Sequence, residues 1–169
     1  RKELKIVGPL VDSAENVELE IKNGQIYSIV PQPNIEPSRT WISRPLIDIQ
    51  INGFGGYDLN AESTTADDVS QMVESVHETG TGYLYPTIIT GSSQRIAQAI
   101  AAIHQASQDR SIERAILGIH IEGPYISSIE APRGAHPKRH VRPVSYTHLR
   151  ANDTPEHIVR RVVGGKKKR

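Results

Sequence analysis

The chain has 169 residues, 37% of them hydrophobic and 23% charged, with a formal net charge of +1. This is ordinary globular material for one domain or a part of a larger one. No run approaches the roughly 18 to 20 consecutive apolar residues needed to cross a bilayer, and Arg1 to Lys5 lacks the apolar stretch of a signal peptide, so a cytoplasmic protein without a membrane partner is expected. With no cysteine there is no disulfide, thiolate metal site or cysteine nucleophile, and any metal must be held by histidine, carboxylate or amide oxygen.

Leu4 to Gly8, Val17 to Ile21 and Gln25 to Val30 read as short strands. Lys22-Asn23-Gly24 supplies a hairpin turn between the second and third. A proline-rich stretch, Pro31 to Ser38, then interrupts regular structure, which makes residues 1–44 a small β unit. From Pro45 the rhythm changes. Pro45 to Asn52 alternates as a strand and runs into Gly53-Phe54-Gly55-Gly56. Thr65-Ala66-Asp67-Asp68 starts a helix, in which Val69, Met72, Val73 and Val76 recur at helical spacing until Gly80.

Gly82 to Thr90 is a second strand. Ser92-Ser93 caps a second helix bearing Ile96, Ala99, Ile100 and Ile103. Ile116 to Glu122 is a third strand, short and rich in isoleucine, in which His120 and Glu122 share a face above Gly118. Strands alternating with helices mean parallel βαβ units, which suit either an open doubly wound sheet or a (β/α)8 barrel. Asn52-Gly53-Phe54-Gly55-Gly56 is not a dinucleotide fingerprint and lacks the Lys-Ser/Thr of a phosphate-binding loop. The expected fold is therefore α/β, residues 45–142 forming the first three strands of a metallo-dependent hydrolase barrel behind a small β unit from a β-sandwich domain.

From Pro143 onward there are seven basic residues against two acidic ones, while residues 1–142 hold thirteen basic and seventeen acidic. The body thus has no basic excess of the kind that binds nucleic acid. Val144-Ser145-Tyr146-Thr147-His148-Leu149-Arg150-Ala151 is the string that a transposon-end sequencing adapter would encode, so residues 143–169 are expected to be a non-native or disordered basic tail.

The segment Gly118-Ile119-His120-Ile121-Glu122-Gly123-Pro124-Tyr125 carries the chemistry: it delivers a histidine and a carboxylate from an apolar strand into a Gly-Pro turn. With Leu46 to Gly56, Gly80-Thr81-Gly82, Pro86-Thr87-Ile88-Ile89-Thr90 and Pro132-Arg133-Gly134-Ala135-His136-Pro137, it resembles the N-acetylglucosamine-6-phosphate deacetylases of the amidohydrolase superfamily. The likeness covers about residues 3–142, an N-terminal portion of that family. It implies Glu122 as a ligand of one divalent cation, with Zn, Fe, Co and Mn all acceptable to such a site. Many amidohydrolases carry His-x-His where this chain has Gln50 and Asn52. The substitution resembles the one-metal branch, whose amides hold the metal's water or support its ligands from behind. His120 fits a supporting role or plain packing equally.

Ala135 and His136 match the loop that contacts the sugar. The implied reaction is hydrolysis of N-acetylglucosamine 6-phosphate, a small-molecule partner, to glucosamine 6-phosphate and acetate, in a homo-oligomeric parent enzyme. The resemblance puts the acid/base aspartate and two metal-binding histidines beyond Arg169, so the catalytic residue is unassigned and this chain alone is expected to be inactive. Three strands of eight also leave sticky edges. The alternatives are another amidohydrolase acting on a cyclic or acyl amide, and a non-catalytic module whose basic tail binds anions.

Overall fold

The structure is a computed structural model in which residues 3–34 and 39–142 are described. The expected tail over 143–169, and residues 35–38 of the proline-rich stretch, lie outside the described residues. The chain divides into two compact units, Arg1–Pro45 and Leu46–Arg169.

In the first unit β1 (Glu3–Pro9), β2 (Asn16–Lys22) and β3 (Gln25–Pro31) form an antiparallel sheet in chain order. Asn23 and Gly24 both have positive φ, 53° and 75°, the geometry a two-residue hairpin needs to match strand twist. The β2–β3 register slips between Glu20 and Ile21. Val17 and Leu19 bury their side chains on one face of β2, two residues apart as the pleat requires.

The second unit is α/β. Its sheet has the order β4 (Leu46–Ile51), β7 (Thr81–Ile89), β8 (His120–Glu122), all parallel. Helix α1 (Ala66–His77) connects β4 to β7, and α2 (Ser93–Ala106) connects β7 to β8. Parallel neighbours joined by helices bring the C-terminal ends of all three strands to one edge. Thr65 caps α1: its hydroxyl accepts from the Asp68 N–H at 3.2 Å, and the Asp68 carboxylate accepts from the Thr65 N–H at 2.8 Å. Val69, Met72, Val73 and Val76 are buried on the inner face of α1, and Ala99, Ala102, Ile103 and Ala106 on that of α2. They close with Ile51, Leu59, Leu84, Ile88, Ile112 and Ala115 into one core.

Beyond the expected elements, β5 (Gly53–Phe54) and β6 (Tyr57–Asp58) pair antiparallel around Gly55–Gly56. The third strand is shorter than expected. Only His120–Glu122 ladders with β7, and upstream a single bridge joins Ile116 to Leu84. Gly118 sits between them against the Tyr85 ring, where an added Cβ would lie 3.1 Å from an aromatic carbon. A short helix α3 (Glu130–Arg133) and a 3-10 turn (Lys138–His140) follow β8.

Candidate active site at the strand ends

The β7–β8 register pairs Thr87 with His120 and Ile89 with Glu122, so Glu122 ends its strand level with the last residue of β7. Ile119 and Ile121 pack toward the core, which leaves His120 and Glu122 to the opposite face. Each oxygen of the Glu122 carboxylate takes one donor. Gln50, from β4, donates through Nε2 to Oε2 at 3.1 Å. His136, from the loop after α3, places Nε2 3.2 Å from Oε1. Residues separated by 72 and 14 positions thus meet on one carboxylate, which stays 31% exposed while the His136 side chain is only 10% exposed.

His136 is held on every side. Its Nδ1 lies 2.9 Å from the Thr90 hydroxyl, one residue past β7. Arg133 donates from Nη1 to the His136 carbonyl at 2.6 Å and accepts from the His136 N–H through its own carbonyl at 3.4 Å. The adjacent turn is built around the same contact: Gly123 has φ 94°, and a Cβ there would fall 2.0 Å from Thr90 Oγ1. Only glycine satisfies both the backbone angle and the space.

Asn52 is carried by a second network. Its Nδ2 donates to the Thr87 carbonyl at 3.4 Å, and Asn60 donates to the same carbonyl at 3.0 Å. Asn60 Oδ1 accepts from the Ile89 N–H at 2.8 Å, so this one amide continues the hydrogen-bond pattern of β7. Arg95, in the first turn of α2, donates to Asn60 Oδ1 at 2.9 Å, to the Asn60 carbonyl and to the Ile89 carbonyl. Burial lowers the Arg95 pKa, with Asp58 and Glu62 opposing the shift.

Of the residues expected at the site, Gln50, Glu122 and His136 are in direct contact, and Asn52 joins through the carbonyl of Thr87, the register partner of His120. His120 is half-buried and Ala135 is exposed beside His136. Asn60, Thr90, Arg95 and Arg133 are additions that the sequence reading did not assign. Thr90 and Arg133 fall inside the recognised segments and could have been flagged there, whereas Asn60 and Arg95 carry no motif. Among the described residues no group of three or more His, Cys, Asp or Glu side chains could hold a metal ion. A catalytic metal site typically draws on three protein ligands. The fit to a divalent cation is therefore partial: one carboxylate with lone pairs to spare and an imidazole beside it.

Similarity to characterised proteins points the same way. The chain is 30% identical over 133 residues to the N-acetylglucosamine-6-phosphate deacetylase of Haemophilus influenzae, a match covering 74% of this chain and 34% of that protein. It is 35% identical over 99 residues to an N-acetylgalactosamine-6-phosphate deacetylase of a Shewanella strain, covering 59% of this chain and 24% of the relative. Over this portion the chain is similar to N-acetylglucosamine-6-phosphate and N-acetylgalactosamine-6-phosphate deacetylases. It spans about a third of the length of the Haemophilus relative. The crystal structure of N-acetylglucosamine-6-phosphate deacetylase from Thermotoga maritima superposes with a TM-score of 0.64 at 23% identity, over 86% of this chain and 38% of that one, and so shares its fold. No protein-family model matches the chain. Among the described residues no helix is long and apolar enough to cross a membrane.

Proposed function

We propose that residues 45–142 are the first three strands and two helices of a (β/α)8 deacetylase barrel, that residues 1–44, which precede it in the chain, contribute to a β-sandwich domain, and that Glu122 is the ligand this segment gives to a divalent cation. The reaction is hydrolysis of N-acetylglucosamine 6-phosphate to glucosamine 6-phosphate and acetate. One observation carries the reading. Gln50 from β4 and His136 from the loop after α3 converge on the carboxylate of Glu122, at the end of β8, on the edge where parallel strands end, which is where barrels keep their chemistry.

A cation bound at Glu122 would acidify water and polarise the acetamide carbonyl. This chain's own residues do the holding. Gln50 fixes the carboxylate plane through Oε2, and His136 fixes it through Oε1, so Glu122 does not have to be ordered when a ligand arrives. Asn52 stands at the end of β4 as a second amide for water or substrate, braced by its bond to Thr87. Both His136 ring nitrogens already have partners, so a sugar hydroxyl reaching Nε2 would share the proton now directed at Glu122. The relatives' names support an N-acetylhexosamine 6-phosphate as substrate, and the larger shared span with the Haemophilus protein favours the gluco sugar.

The test is a chimera in which residues 46–142 replace the aligned segment of the Haemophilus influenzae enzyme. It is expected to release acetate from N-acetylglucosamine 6-phosphate, and Glu122→Gln within it to lose at least about 100-fold in kcat/KM together with the bound metal. A folded chimera whose Glu122→Gln form keeps its rate and metal content would overturn the reading.

A further inference from the structure

Three polar atoms beside Glu122, the two His136 ring nitrogens and the Thr90 hydroxyl, admit a narrow set of proton arrangements. A carboxylate oxygen only accepts, so the 3.2 Å approach of His136 Nε2 to Glu122 Oε1 is a hydrogen bond only when Nε2 carries hydrogen. In a neutral ring Nδ1 is then a bare acceptor. The group 2.9 Å from it is the Thr90 hydroxyl, which has one hydrogen to give. That hydrogen has a second possible target, the Glu122 carbonyl, but at 3.4 Å this is the poorer contact. Thr90 is 1% exposed and His136 8%, so bulk water does not compete for either atom.

We propose that Thr90 is a positioning residue that sets the tautomer of His136: its hydroxyl donates to Nδ1, which keeps the proton on Nε2 and aims it at the Glu122 carboxylate. The neighbouring sequence is shaped to permit this contact. Gly123 leaves room for the hydroxyl where it stands, since a Cβ would lie 2.0 Å from Thr90 Oγ1 and 3.7 Å from His136 Nδ1. The Arg133 side chain fixes the His136 backbone, so the ring can turn only about its own side-chain bonds. Thr90 thus acts on the site through His136 and touches neither the cation position nor the sugar. If the other tautomer were present, a bare Nε2 would face a carboxylate, and two acceptors would meet with no proton between them. The functional meaning of this device rests on the deacetylase reading above, but its physical content does not.

The experiment uses the full 169-residue chain, uniformly labelled with nitrogen-15, in alkaline buffer. Long-range proton–nitrogen correlation spectra report which ring nitrogen carries hydrogen, and the His136 signals are assigned by their loss in His136→Gln. The expected pattern is a protonated-type Nε2 and a bare-type Nδ1 in the wild type. Thr90→Val is expected to move both nitrogen shifts toward the average of a tautomer mixture, and Thr90→Ser to restore the wild-type pattern. Should Thr90→Val lose its amide dispersion, Thr90→Ala removes the same donor without added bulk. Protonated Nδ1 in the wild type overturns the proposal, and so do unchanged His136 shifts in a folded Thr90→Val or Thr90→Ala. Neither result bears on acetate release by the chimera, so failure here and failure of the deacetylase reading remain distinguishable.

Discussion

Asn60 shows how single polar side chains hold the strand ends in register. Its amide accepts from the Ile89 N–H and from Arg95, and donates to the Thr87 carbonyl. Asn60→Ala strands the Ile89 N–H and takes one of several partners from Arg95 and from the Thr87 carbonyl, with an expected cost of roughly 1 to 3 kcal/mol measured by urea unfolding. Full stability of the variant would contradict the role assigned to it. Glu122, Gln50 and His136 were readable because they sit in segments whose order resembles a known family. Asn60 and Arg95 were not, because they bond to main-chain atoms and to each other across 35 positions, and local sequence carries no trace of such a pairing.

At the scale of elements, α1 couples a cap to a buried stripe. Thr65→Ala removes the hydroxyl half of the reciprocal cap and is expected to cost roughly 1 kcal/mol. The Thr65 hydroxyl and then its backbone N–H hold the Asp68 pKa below the ordinary aspartate value. A depressed carboxylate stabilises the folded state above its unfolded pKa, about 4, and that contribution disappears as pH falls through the lower folded value. Protection of the first-turn amides of α1, corrected for intrinsic exchange, is therefore expected to fall below about pH 4 in the wild type. The same fall in Asp68→Asn would show that another group is responsible. Met72 is fully buried, and Met72→Ala is expected to cost roughly 2 to 5 kcal/mol in thermal or urea unfolding. Both helices were readable beforehand, since their caps and their 3.6-residue periods are local. The β5–β6 hairpin was not, because a glycine cluster reads as loop until its partner strand is known. The shortening of β8 depended on the Tyr85 ring lying against Gly118, a contact between residues 33 apart.

Across the whole molecule, the sheet of the second unit is unevenly covered. Ile47 and Ile49 on β4 are 55% and 72% exposed, although Ile51 on the same face is buried. Exposed apolar side chains on an edge strand favour association. Ile49→Lys is expected to reduce concentration-dependent self-association in sedimentation velocity, and an unchanged distribution would show that this edge is not involved. The parallel order was inferable from strand and helix alternation alone, whereas the exposure of β4 follows from what packs beside it. Glu122 is proposed to hold a cation between Gln50 and His136, and manganese titration of the nitrogen-15-labelled chain puts that role to the test. Paramagnetic broadening is expected first at the Gly123 amide, the Gln50 side chain and the Thr90 amide, and is expected to vanish there in Glu122→Gln. Broadening that spreads over surface carboxylates and persists unchanged in that variant would contradict the account.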